Sequence, residues 1–263
     1  MSAGPAERPV ALVTGAGGGL GGALAVALAA KGFDLLLNDL ADSDALTALA
    51  ATLEGGGARA KILPQDITRT DELPGYVERV HAAFGRLDCL INNAGVSVLS
   101  RGDILDVTPE SFDRCVGVNL RAQFFLTQAV AKRMIADGPA PAGRRRAIVF
   151  VTTVAVENII GKVLVEYSAS KAALSHAAKH FAVRLTREGI DCYEVRPGIM
   201  ATNMTASSTE KYDALIADGF VPAGRRGERE EIARAIANLA DGALSYCVGQ
   251  AINLDGGLAL KTF

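Results

Sequence analysis

From Pro9 onward the chain alternates between two kinds of segment. Short runs rich in leucine and β-branched residues recur at Val10–Thr14, Asp34–Asn38, Ala58–Leu63, Leu87–Ile91, Ala147–Val151, Asp191–Val195 and Gln250–Asn253. Between them lie alanine-rich segments with helical spacing, at 20–31, 44–54, 71–84, 110–136, 168–188 and 228–240. The short runs are almost continuously apolar, as strands are when both faces of their sheet are covered. Seven such strands interleaved with six helices predict an α/β chain: a Rossmann-type, doubly wound, seven-stranded parallel sheet flanked by helices on both faces. Residues 137–146, a Gly/Pro loop ending in arginines, and residues 199–227 break the rhythm, but neither has the length or polarity of an interdomain linker. The expected organisation is a flexible arm over 1–8 and a single domain over 9–263.

Composition narrows the function classes. Of 263 residues, 49% are apolar and 21% charged, which excludes a disordered chain. The 27 basic and 29 acidic residues leave a net charge of −2, so there is no global electrostatic case for nucleic acid or for an anionic membrane. No apolar run approaches the ~20 residues that span a bilayer. The first residues, MSAGPAERP, lack the apolar core of a signal peptide, so a cytoplasmic location is expected. Cys89, Cys115, Cys192 and Cys247 are widely spaced with no CxxC pair, which suggests buried thiols and no metal site.

The chemistry begins at the first strand, which runs into Thr14-Gly15-Ala16-Gly17-Gly18-Gly19-Leu20-Gly21 and then a helix. Glycines allow a tight turn and a close approach of backbone to a pyrophosphate, and the helix N-terminus offers free N–H groups to its charge. The second strand ends in Asn38-Asp39-Leu40, with Asp39 placed 18 residues after Gly21. That is near the ~20 expected of an acid binding the adenosine ribose hydroxyls. A carboxylate there repels the 2′-phosphate of NADP, and neither Gly18 nor Leu40 supplies a cation to attract it, so NAD is expected over NADP. A helix cap or turn is the alternative role for Asp39.

The spacing of Gly15, Gly19 and Gly21, TGxxxGxG, resembles that of the short-chain dehydrogenase/reductase family in its single-domain form. Further motifs follow in the family's order: Asp66-Ile67, Asn92-Asn93-Ala94-Gly95, Val118-Asn119-Leu120, Tyr167-Ser168-Ala169-Ser170-Lys171, Arg196-Pro197-Gly198 with Thr202, and Asp255-Gly256-Gly257. The resemblance implies that Gly15, Gly19, Leu20, Gly21, Asp39, Asp66, Ile67, Asn93, Ala94, Gly95, Tyr167, Lys171, Pro197, Gly198 and Thr202 hold the cofactor. Of these, Asp66 meets the adenine edge, and Pro197, Gly198 and Thr202 meet the nicotinamide amide. It also implies a mobile lid over 199–227 and pairing of the two longest helices into a homodimer or homotetramer.

Tyr167 and Lys171 stand i and i+4 on one helical face. A free phenol has a pKa of about 10, and an ammonium one turn away is expected to lower it, so that the phenol can exchange a proton with a substrate oxygen. The resemblance adds Lys171 as a ribose ligand and Asn119 as the anchor of a water relay. Where the family carries a serine, this chain has Thr152-Thr153, and Thr153 lies 14 residues before Tyr167, one more than the family's usual spacing. Thr153 is assigned the substrate-orienting hydroxyl, with Thr152 as the alternative, and an extra bulge is expected in 154–166. Met200, Met204, Tyr212, Leu215, Ile216 and Phe220, facing Ile159, Ile160, Val163 and Leu164, are expected to form an apolar substrate pocket. Glu157 and Glu166 are left facing substrate or solvent. His176 and His180 share a helix face without the Glu of HExxH and are read as a surface pair, not a metal site.

The reading is an NAD-dependent oxidoreductase interconverting a small secondary alcohol and a ketone. A 3-oxoacyl-thioester reductase and a non-catalytic NAD-binding regulator are the alternatives.

Overall fold

Alternation along β1 (Val10–Thr14) explains the layering: Ala11 and Val13 point into one buried layer, Val10 and Leu12 into the other. The chain is described as a computed structural model over residues 8–141, 144–159, 163–201 and 209–260. The other strands are β2 (Asp34–Asn38), β3 (Ala60–Ile62), β4 (Cys89–Asn92), β5 (Arg146–Val151), β6 (Ile190–Pro197) and β7 (Ala251–Leu254). All pairings are parallel, in the order β3-β2-β1-β4-β5-β6-β7. The expected doubly wound sheet is therefore present.

Three helices, α1 (Gly19–Ala30), α2 (Asp44–Gly55) and α8 (Arg229–Ala240), cover one face, with Leu24, Leu28, Leu46, Ile232 and Ile236 in its buried layer. On the other face lie α3 (Leu73–Phe84), α5 (Gln123–Ala136) and α6 (Val165–Leu185), with Tyr76, Val80, Leu126, Val130 and Leu174. Local chemistry sets the ends. The Ser43 hydroxyl accepts the Leu46 N–H at the start of α2, and α3 ends at Gly85 with φ 74°. Glu228 and Glu231 form a capping box on α8.

The structure departs from the sequence pattern in four places. The helix expected over 110–136 is α4 (Pro109–Val116), a π-helical segment (Gly117–Ala122) and α5. The widened turn keeps the apolar face inward, so the periodicity conceals it. The helix expected from 71 begins at Leu73, with Pro74 in its first turn, where its missing N–H costs nothing. The one expected from 168 begins at Val165, which puts Tyr167 in the first turn. Inside 199–227 lies α7 (Thr209–Ala217), where no element was expected.

Strand order reverses beside β1, whose neighbours are β2 and β4. A crevice opens at the carboxyl ends of strands at such a switch point. Close packing there depends on Gly21, where a Cβ would sit 2.0 Å from the Gly15 carbonyl oxygen. Gly21→Ala is expected to destabilise the fold by about 2–3 kcal/mol in urea unfolding, as overpacking does. An unchanged midpoint would contradict this close approach.

Candidate active site

The crevice is a cleft of about 460 Å³ above β1, β4 and β5. Its floor is the glycine turn. Gly15 takes φ +66°, and a Cβ there would lie 3.0 Å from the Ala94 Cα. The turn is tied to the strand-4 segment through Thr14: its hydroxyl donates to the Ile91 carbonyl and accepts the Asn93 and Ala94 N–H groups. The Asn93 side chain donates to the Thr14 and Gly15 carbonyls at 2.9 and 3.3 Å. Gly15, Gly19, Leu20 and Gly21 line the cleft together with Asn93, Ala94 and Gly95.

At the β2 side, Asp39 accepts the Gly17 N–H at 3.0 Å and the Leu40 N–H at 2.8 Å, so its carboxylate is fixed at the edge of the glycine turn. Asp66 accepts both the N–H and the hydroxyl of Thr68, and with Ile67 forms the wall beyond Asp39. Pro197 and Gly198, at the end of β6, close the opposite side. A Cβ on Gly198 would sit 2.7 Å from the Asp255 Cα, so the Pro-Gly stretch is packed against the Asp255 segment. Thr202 lies outside the described residues, as do Ile160 and Met204.

Thr153, Tyr167 and Lys171 meet at the inner end of the cleft. Lys171 is buried and donates to the Val151 carbonyl at 2.8 Å, joining α6 to the end of β5. The Thr153 hydroxyl stands beside the Tyr167 phenol and holds its pKa down. The same hydroxyl accepts the Ala155 N–H and so caps the 3₁₀ turn Val154–Val156. Thr152 also borders the cleft, but it is buried and its hydroxyl is committed to Glu194, to which it donates at 2.6 Å. Asn119 lies behind the wall, in the π segment. It accepts the Val96 N–H at 2.8 Å and donates to the Val96 carbonyl and the Ser170 hydroxyl. A Cβ on Gly95 would come within 3.2 Å of the Asn119 Oδ1 and 3.5 Å of the Lys171 Nζ, so both side chains reach the same glycine.

Nearly the whole chain is similar to known proteins. A family model described as enoyl-(acyl carrier protein) reductase matches residues 15–259. The crystal structure of a 3-oxoacyl-[acyl-carrier protein] reductase from Brucella melitensis in complex with NAD superposes with a TM-score of 0.93 at 40% identity, covering 98% of this chain and 100% of that one. A 3-oxoacyl-[acyl-carrier-protein] reductase of Synechocystis is 34% identical over 95% of this chain and 97% of its own length. A gluconate 5-dehydrogenase from Burkholderia cenocepacia, in complex with NADP and tartrate, has a TM-score of 0.88 at 28% identity over 97% of this chain and 96% of that one.

The chain belongs to the short-chain dehydrogenase/reductase family. It is an oxidoreductase acting on CH–OH groups, interconverting a secondary alcohol and a ketone.

Electrostatics at the inner end differ from the sequence expectation. Burial pushes the Tyr167 phenol up to about 12, against a hydrogen bond with Thr153 that holds it down, and Cys115 and Tyr212 raise it further. Lys171 is not among the groups that shift the phenol, and its ammonium donates to the Val151 carbonyl. Burial lowers Lys171 itself to about 8, with the Glu194 carboxylate opposing the shift.

Several expected pocket residues are placed elsewhere. Of the apolar positions named in 199–227, Met200 lines the cleft, whereas Ile216 packs with Ile199, Val221 and Tyr212 in a separate small cluster. Phe220 and Ile159 are exposed. Glu166 is buried and accepts a hydrogen bond from Ser111, so it faces α4 rather than substrate. Glu157 pairs with Arg196 at 2.6 Å. The rings of His176 and His180 meet each other at an exposed position. Sequence reasoning missed Arg229, at the first turn of α8: a Cβ on Gly19 would meet its guanidinium at 2.8 Å. Its distance along the chain hid it, since α1 and α8 pack together only in space.

A lysine whose pKa is lowered on folding destabilises the fold at pH below its folded value. That penalty fades as pH rises from about 8 towards its unfolded value of 10.5. The stability of the unmutated protein relative to Lys171→Met is therefore expected to increase by roughly 3 kcal/mol across that window. Urea unfolding at several pH values checks this, and a pH-independent gap would contradict the burial of the ammonium.

Proposed function

We propose that the protein is an NAD(H)-dependent oxidoreductase in which Tyr167 is the acid/base and Thr153 orients the substrate oxygen. One observation carries the reading: the cleft that begins at the glycine turn and Asp39 ends at Thr153, Tyr167 and Lys171. The glycine turn fits a dinucleotide, because side chains at Gly15 and Gly21 would fill the space the backbone needs. The pyrophosphate would lie against Gly19 and Leu20 at the start of α1, the adenosine ribose against Asp39, and the nicotinamide end against Pro197, Gly198 and Thr202. When bound, the dinucleotide supplies or accepts the hydride. The chain's own groups handle the proton. At neutral pH the half-buried phenol is protonated, so Tyr167 gives its proton to a carbonyl oxygen in reduction; in oxidation it first releases that proton towards solvent and then, as phenolate, accepts the proton of the alcohol. Thr153 holds that oxygen against the phenol. Lys171 binds the ribose, and Asn119 beside it leads the proton path towards solvent.

The choice of NAD over NADP rests on charge. The Asp39 carboxylate, held by the Gly17 and Leu40 N–H groups, would repel a 2′-phosphate, and the Arg229 guanidinium beside the turn reaches Gly19 rather than Asp39. A second reading, reduction of a 3-oxoacyl thioester, is favoured by the Brucella and Synechocystis relatives. The segment around α7 serves as the lid, and exposed Phe112, Phe125 and Val183 on α4, α5 and α6 supply the face through which copies of the chain pair.

NADH consumption with acetoacetyl-coenzyme A and a panel of small ketones, and NADH production with secondary alcohols and polyols, tests the reading. Turnover of simple ketones or alcohols supports it, turnover confined to the thioester selects the second, and tight NADH binding without turnover of any substrate points to the non-catalytic alternative. Asp39→Ala is expected to weaken NADH binding about tenfold and to narrow its advantage over NADPH, the loss of roughly one charge-assisted hydrogen bond. Equal affinities for the two cofactors in the unmutated protein would contradict the role given to Asp39.

A further inference from the structure

Beneath the cleft lies a charged cluster that the reaction does not use. Glu194, in the middle of β6, is 2% exposed, and Arg196 two residues on is 5% exposed. The Glu194 carboxylate accepts the Thr152 hydroxyl at 2.6 Å and the Arg196 Nε at 2.8 Å on one oxygen. On the other it accepts the Ser175 hydroxyl at 2.8 Å and the Arg196 Nη2 at 3.2 Å. Arg196 Nη2 also donates to the Ser175 hydroxyl at 3.0 Å, and Nη1 reaches Glu157, on the turn after Thr153, at 2.6 Å.

A buried ion pair is a poor device for stability, since apolar residues of similar volume usually do as well or better. Here its bonds connect three particular places. Thr152 precedes Thr153 at the end of β5. Ser175 lies one helical turn beyond Lys171 on α6. Glu157 lies at the end of the turn that Thr153 caps. We propose that Glu194, held by Arg196, is a positioning residue: it braces the end of β5 and the following turn to α6, and so fixes the Thr153 hydroxyl relative to Tyr167 and Lys171. The inference rests on the roles given above to those three residues.

The brace has two separable effects. Through Thr152 it sets geometry, and a catalytic hydroxyl displaced by about 1 Å costs up to about a hundredfold in rate. Through its charge it acts on Lys171, whose proton it helps retain. Arg196 and Glu157 on one side and Tyr167 on Lys171's own helix are the other ionisable groups of this cluster.

The test measures kcat, KM and the dissociation constant for NADH in the unmutated protein, Thr152→Val, Thr152→Ser and Glu194→Gln, with the panel carbonyl that the unmutated protein reduces fastest. Thr152→Val is expected to lower kcat about ten- to a hundredfold with NADH affinity unchanged, and Thr152→Ser, which keeps the hydroxyl, to restore it. Glu194→Gln is expected to move the pH-rate limb belonging to Lys171 to lower pH, since the carboxylate that favours the ammonium is gone. An indifferent kcat in Thr152→Val, or a loss matched by an equal loss of NADH affinity and of the urea midpoint, would overturn the brace. An unmutated protein that reduces no carbonyl in the panel removes the functional reading, and the brace with it. An active one with an indifferent Thr152→Val removes the brace alone.

Discussion

The hydrogen bond from the Lys171 ammonium to the Val151 carbonyl joins the two halves of the site. Val151 is the last residue of β5, and its register is fixed by pairing with Val195 on β6. Lys171 stands one turn beyond Tyr167 on α6. The bond therefore ties the phenol to the same strand end that supplies Thr153. Burying the ammonium is expensive, which is why its pKa falls, and a buried backbone carbonyl at a strand end is one of the few partners that can meet it without adding a second charge. The sheet thus locates the reacting groups, and the loops are left to cover them.

The same economy governs the other end of the cleft. Asp39 is held by two backbone N–H groups, one of them from the glycine turn, so the residue proposed to meet the adenosine ribose is tied to the turn proposed to meet the pyrophosphate. Asn93 and Thr14 fasten that turn to the end of β4. Ile216 of α7 packs with Ile199, Val221, Tyr212 and Leu258 in a small cluster separate from the two layers that cover the sheet.

The strands and the glycine turn are legible in the sequence because apolar runs and glycines report directly on burial and on backbone space. Gly15, with φ +66°, could hardly be another residue. Other features leave no such trace. The π segment around Asn119 keeps its apolar face inward, so the 110–136 periodicity reads as one helix. Whether Thr152 or Thr153 faces substrate turns on Glu194, a residue some 40 positions away whose side chain claims one of the two hydroxyls. The upward shift of the Tyr167 phenol comes from its burial in the folded cleft, which the i and i+4 spacing to Lys171 does not reveal. Short elements such as α7 lie where neither alternation nor helical spacing is sustained.

If Tyr167 carries the proton, its hydroxyl matters far more to turnover than to a dinucleotide whose other proposed contacts run the length of the cleft. Replacing Tyr167 with Phe and following both turnover and NADH binding tests it most directly. The account predicts that turnover falls by at least about a hundredfold, as loss of a general acid does, while the NADH dissociation constant changes little. A Phe variant that retains most of its rate would contradict the assignment of the acid, and the chemistry would have to be sought at another group.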